Sequence, residues 1–208
     1  MTDTATSPRK ALPNDQPGPN SGPVIVGITD LFGVADTVQS DIVLTPDPVA
    51  KAVVDRFQPA GRVLDPCKGD GAFLRHMPGA EWCEIREGKC FFDWKEPVDW
   101  IVSNPPYSIF ADFLRHSFTV AENIVYLIPV NKAFNSDKMM REIWAWGGVK
   151  TCLVVGGGGS LNFPIGFCIG AVHFVRGYRG GMNVEFLTPN AIGEARADSA
   201  TSPHEKTL

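Results

Sequence analysis

The stretch Asp99–Phe110, DWIVSNPPYSIF, sets the reading of the whole chain. Trp100, Ile101 and Val102 are apolar and partly β-branched, the composition of a buried strand. The run stops at Asn104, because Pro105 and Pro106 behind it have no N–H to donate to a ladder. From Ser108 the apolar spacing becomes helical through SIFADFLRHSFTVA (108–121). A strand, a stiff polar turn and a helix are half of a βαβ unit.

The same alternation runs outward on both sides. TPDPVAKAVVDRF (45–57) opens with prolines and repeats Val49, Val53, Val54 and Phe57 at helical spacing, so a helix starts near Pro46 or Asp47. RVLD (62–65) and EWCEI (81–85) read as short strands before the opening stretch. NIVYLIPV (123–130), VKTCLVV (149–155) and FCIGAVHFV (167–175) read as strands after it, with a helix at SDKMMREIWAW (136–146) between the first two. Strands alternating with helices predict an α/β fold whose mainly parallel sheet is covered on both faces. Ligands then collect beyond the carboxyl ends of the strands.

Composition narrows the class. The chain has 208 residues, 44% of them hydrophobic, enough for a single core. A net charge of −4 provides no global basic field, so any nucleic-acid contact is local. The five cysteines include no C-x-x-C pair, which predicts reduced thiols in a cytoplasmic protein, with Cys83, Cys152 and Cys168 as small buried apolar residues. The four histidines lack metal-ligand spacing, so no metal site is expected. No apolar run has membrane-spanning length, so no membrane partner is expected. Residues 1–23 are polar and Pro-rich and read as a disordered tail, 24–188 as a single domain and 189–208 as a flexible tail.

Candidate chemistry sits at the strand ends. LDPCKGDGAF (64–73) places Asp65 at a strand end and Gly69 and Gly71 in the turn behind it, where backbone N–H groups can approach a ligand at the start of a following helix. The turn lacks the Gly-Lys-Ser/Thr ending of a P-loop and the G-x-G-x-x-G dinucleotide spacing. Glu84, at the next strand end, suits the two hydroxyls of a ribose, and Asp93 an adenine amino group. At Asn104 the side-chain oxygen and the Pro105 carbonyl are two acceptors in a restricted backbone, fit to take both N–H groups of an exocyclic amine, while Tyr107 offers a stacking face.

DPCKGDG followed by NPPY resembles the class I S-adenosylmethionine-dependent methyltransferases that act on amino groups, especially the adenine-N6 DNA methyltransferases, and LTPDPVA resembles the motif these enzymes carry ahead of the glycine turn. The resemblance covers roughly residues 42–175. It implies a Rossmann-like sheet with an antiparallel last strand and S-adenosylmethionine as cofactor. Thr45, Pro46, Asp65, Pro66, Cys67, Gly69 and Gly71 would surround its methionine part, Glu84 and Ile85 its ribose side, and Asp93 its adenine. Asn104, Pro105, Pro106 and Tyr107 would be catalytic and hold the target amine, flipped out of a duplex. DNA is the expected substrate; an RNA base, a protein glutamine amide, or a noncatalytic subunit of the same fold are the other readings.

The chain departs from that family in two ways. About thirteen residues separate Ile85 from Val98, too few for a full helix, and nothing after Tyr107 looks like a target recognition domain. A protein partner or two loops would then supply recognition. NKAFNSDKMMR (131–141) offers Lys132, Lys138, Arg141 and the aromatic Phe134 for phosphate contact and stacking, GGGGSLNFPIG (156–166) offers Phe163, and Phe110 adds to the wall of the target pocket.

Overall fold

The computed structural model describes residues 43–157 and 167–187; both predicted tails and Phe163 lie outside the described residues. Seven strands form one sheet: β1 (Val63–Asp65), β2 (Glu81–Trp82), β3 (Val98–Ser103), β4 (Ala121–Pro129), β5 (Gly147–Gly157), β6 (Cys168–Arg176) and β7 (Asn183–Phe186). Their order across the sheet is β2-β1-β3-β4-β6-β5-β7. All neighbours run parallel except β6, which is antiparallel to both β4 and β5. The antiparallel strand is the segment expected to close the sheet, and β7, which was not foreseen, adds a short parallel edge beyond β5.

Alternation along β4 shows how the core is built. Ile124, Tyr126 and Ile128 face one side, where α2 (Phe110–Val120) and α3 (Asp137–Trp146) bury Phe113, Leu114, Met139 and Ile143 against them. Val125 and Leu127 face the other side, under Val49, Val53 and Phe57 of α1 (Asp47–Phe57). A period of two in the strand and of 3.6 in the helices thus gives the expected helices on both faces. α1 begins at the predicted position, with Pro46 as its N-cap, and ends where Gln58 turns left-handed (φ 44°) and donates its N–H to the Val54 carbonyl.

Two local expectations are corrected. No α-helix follows the glycine turn; a single 3-10 turn, Leu74–His76, takes its place. Only positions 72–77 lie between Gly71 and Pro78, and that is too short to repay helix nucleation. Cys168 is exposed rather than buried, since it is the first residue of β6 at the rim, whereas Cys83 and Cys152 are buried as expected. Between Ile85 and Val98 the chain forms only two 3-10 turns, Ile85–Glu87 and Phe91–Asp93. All five cysteines are free thiols.

Candidate active site

β1 and β3 are parallel neighbours in the register Val63↔Trp100 and Leu64↔Ile101, so Asp65 and Asn104 emerge at the same edge of the sheet. Side chains join the two tips directly. The Ser103 hydroxyl donates to Asp65 Oδ1 at 2.6 Å, and the Cys67 thiol donates to the Asn104 carbonyl at 3.1 Å. Cys67 N–H also reaches Asp65 Oδ1, at 3.3 Å, closing a small turn over the aspartate.

Asp65 is 0% exposed, and its second oxygen, Oδ2, has no hydrogen-bond partner among the described residues. Burial raises its pKa to about 7, against the opposing pull of the Ser103 and Cys67 donors. The site therefore contains a carboxyl group that titrates near neutrality and, once ionised, presents one acceptor without a donor. Burial likewise pushes the Cys67 thiol well up, which keeps it protonated and able to donate.

Asn104 is fixed by a different logic. Its Nδ2 donates to the Val43 carbonyl at 3.0 Å and to Thr45 Oγ1 at 3.1 Å. A backbone carbonyl can only accept, so the amide nitrogen must face Val43 and the amide oxygen must face away. That oxygen, Oδ1, is buried and has no hydrogen-bond partner among the described residues. An unmade bond of this kind costs about 1–3 kcal/mol, a cost that a donor entering the site removes.

The glycine turn is built for shape. Gly69 (φ 58°) and Gly71 (φ 85°) occupy left-handed backbone that a side chain would strain, and a Cβ on Gly71 would meet nothing within 4 Å, so the space beside it stays open. Four N–H groups of the turn, which was expected to bring such groups close to a ligand, are engaged within the chain. Cys67 N–H bonds Asp65, Lys68 N–H the Cys83 carbonyl, Gly69 N–H Glu84 Oε2 and Gly71 N–H the Lys68 carbonyl. These bonds tie the turn to β1 and to the segment after β2.

Glu84 follows β2 and is 6% exposed. Its carboxylate accepts from Gly69 N–H at 3.0 Å, Arg86 N–H at 3.2 Å and Arg86 Nε at 2.8 Å. Burial alone would raise its pKa, but the Arg86 side chain and the two backbone donors outweigh it and hold the group below the usual carboxylate range. Next to this buried anion Ile85 is 43% exposed, and Leu44 stands exposed over Gly69.

The remaining predicted residues are placed as follows. Thr45 is buried as an acceptor for Asn104, Pro46 is half-buried, and Pro66 is buried behind Asp65. Pro105 is buried, Pro106 is half-buried, and Asp93 is exposed at the end of its 3-10 turn. Tyr107, read as a stacking face, has only 6% of its surface exposed, and its ring packs into the core under α2. Phe110, read as a wall of the target pocket, is likewise a core residue, its ring edge-on to Tyr126. Lys132 and Phe134 follow β4 on the Asn104 edge, with Phe134 exposed. Arg141 is not a free cation: it pairs with Asp137 at 2.8 Å on the exposed side of α3, and Lys138 lies 4.0 Å from Glu142. Gly157 and Cys168 pair at this same edge, while Phe163 lies outside the described residues. No group of metal-ligating side chains among the described residues could hold an ion, and no described helix is long and apolar enough to cross a membrane.

Three participants had not been singled out from the sequence. Ser103 is the hydroxyl at the buried end of β3, and pairing β3 with β1 would have placed it beside Asp65. Arg86 had only its position two residues after Glu84 as a signal. The Val43 carbonyl is backbone and has no sequence signature.

No family model and no curated protein matches the chain. Solved structures do. A protein from Listeria monocytogenes, described as a class I S-adenosylmethionine-dependent methyltransferase, superposes with a TM-score of 0.54 at 12% identity over 76% of this chain and 71% of that one. A type I restriction enzyme modification subunit from Vibrio vulnificus gives 0.50 at 12% identity over 86% and 57%, and the M protein of the type I restriction enzyme EcoKI gives 0.50 at 13% over 70% and 47%. The chain has the class I methyltransferase fold, and it spans about half the length of these modification subunits.

Proposed function

We propose that the protein is an S-adenosylmethionine-dependent N-methyltransferase acting on a nucleic-acid base, with the adenine N6 amine of DNA as its first substrate. The observation that carries this reading is the buried, unpartnered Oδ1 of Asn104 one strand away from the buried, unpartnered Oδ2 of Asp65. Two acceptors without donors, at adjoining tips of one sheet edge, call for a ligand rich in N–H groups and positive charge. The cofactor's sulfonium and ammonium groups and the substrate's amine have that chemistry.

The residues fit the cofactor in kind. Asp65 would face its cationic methionine end, the open space at Gly71 would admit it, and Glu84 would take the ribose hydroxyls with Ile85 against the base. Bound there, the cofactor supplies an electrophilic methyl group, which the amine nitrogen takes as the carbon–sulfur bond breaks and its pair stays on sulfur.

Asn104 does the positioning. Accepting an amine N–H on Oδ1 turns the nitrogen lone pair away from the conjugated ring and toward the Asp65 side, and Pro105 and Pro106 hold the backbone so that this direction is fixed. Placement of this kind is worth several kcal/mol without a strong base, and the surplus proton leaves to water. The modification-subunit neighbours favour DNA over RNA.

The test incubates the protein with tritiated S-adenosylmethionine and, separately, duplex DNA, single-stranded DNA, RNA and protein extract. Label in N6-methyladenine of DNA that vanishes with Asn104→Ala, while that variant still binds the cofactor, supports the proposal. Transfer that survives Asn104→Ala sinks it, and label confined to RNA or glutamine redirects it.

A further inference from the structure

Arg86 spends its charge on the wrong partner for a surface arginine. Its Nε and its backbone N–H both end on Glu84 Oε1, at 2.8 and 3.2 Å, while Gly69 N–H takes Oε2 at 3.0 Å. A carboxylate oxygen has two lone pairs, so Oε1 is fully subscribed and Oε2 retains one site. The Arg86 side chain is 52% exposed, and among the described residues its Nη groups bond to nothing. The neighbouring acid, Glu87, is already paired with Lys68 at 2.6 Å.

A ribose diol that bridges both oxygens of Glu84 needs a lone pair of Oε1, and the only donor there that can leave without unfolding the 3-10 turn is the Arg86 side chain. We infer that Arg86 is an exchange residue: it caps Glu84 while the site is empty, and the cofactor's ribose displaces it, releasing a guanidinium at the rim to grip a phosphate of the nucleic-acid substrate. The inference rests on the reading of Glu84 as the ribose acceptor and of the substrate as nucleic acid. Guanidinium suits the second role because its planar fork meets a phosphate through two parallel N–H bonds. Cofactor and polyanion then bind cooperatively, since each ligand favours the same displaced position of one side chain, and the coupling is equal in both directions. With a net charge of −4 the chain has no global basic field, so a cation released locally at the rim counts.

The experiment titrates S-adenosylhomocysteine into wild type and Arg86→Gln by calorimetry, and a fluorescent DNA oligonucleotide by anisotropy with and without that ligand. Arg86→Gln should bind S-adenosylhomocysteine about two- to fivefold tighter, the size of a half-exposed ion pair no longer in competition. In wild type the ligand should tighten oligonucleotide binding several-fold. In the variant that gain should vanish, and the salt dependence with ligand bound should fall by about one phosphate contact. Unchanged or weaker ligand affinity in Arg86→Gln, or coupling that persists in it, overturns the exchange role alone. A wild-type protein that binds no S-adenosylhomocysteine overturns the methyltransferase reading with it.

Discussion

The two halves of the sheet solve opposite problems. On one side β4, β6 and β5 run for 9, 9 and 11 residues, and α2 and α3 seal them from above. Buried polar groups there are matched: Tyr126 and Ser117 share a 2.6 Å hydrogen bond, and Ser117 also donates to the Phe113 carbonyl. On the other side β1 and β2 have 3 and 2 residues, 3-10 turns stand where helices would, and Asp65 and Asn104 each keep a buried acceptor unpartnered. A half with long ladders can carry stability, which lets the other half retain unfavourable polar groups that a ligand can use.

The sharpest way to break this comparison is to damage the stable half and look for loss of binding. Phe174, at 0% exposure on β6, should cost about 3–5 kcal/mol when cut to alanine, read from urea denaturation. Cofactor affinity of the molecules that remain folded should not change.

Next in size is Asp65→Asn. The folded pKa of Asp65, about 7, lies above its ordinary 3.8, so as pH rises between those values the unfolded chain loses its proton first. This residue's contribution to stability therefore falls from pH 4 to pH 7. Asparagine keeps an acceptor for Ser103 and Cys67 but removes the titration, so the difference in stability between variant and wild type should move in the variant's favour across that window. Denaturation at a series of pH values checks it; a difference that stays flat contradicts the buried, uncompensated carboxyl.

Ser103→Ala is smaller. It deletes the 2.6 Å donor to Asp65 and should cost about 1–3 kcal/mol at neutral pH, the range for hydrogen bonds to a buried acid. Smallest is His173, on β6, stacked on Trp100 at 5.1 Å. Burial, helped by the Lys150 and Arg56 charges, lowers its pKa to about 4, so the unfolded chain takes up the proton first as pH falls below 6.5, and stability is lost in that direction. His173→Gln should remove that loss between about pH 4 and 6.5, the window in which Asp65 sets a slope of opposite sign, so the variant's stability should fall more steeply than wild type's as pH rises through it. The two halves thus respond to pH with opposite signs.

The long half was the easier to read. NIVYLIPV, VKTCLVV and FCIGAVHFV are continuous apolar runs whose burial leaves little choice of element, and α1, α2 and α3 begin within two residues of where periodicity puts them. β7 escaped because Asn183–Phe186 is short, mostly exposed and carries Glu185, and it owes its place to pairing with β5. The missing helix after Gly71 is a matter of length, not propensity. In the candidate site, the strand-end residues Asp65, Glu84 and Asn104 were legible as polar side chains where apolar runs stop. Their partners were not: Val43 acts through its backbone, Arg86 through a rotamer, and Tyr107 and Phe110 turned inward because the core under α2 had room for both rings.

Calorimetry of S-adenosylmethionine with wild type and Asp65→Asn at pH 8 tests the central claim most directly. The account predicts saturable binding by wild type and affinity weaker by about tenfold or more in the variant, because a charge-assisted contact to Asp65 is lost. Equal affinity in the two proteins, or no heat with wild type, would contradict it.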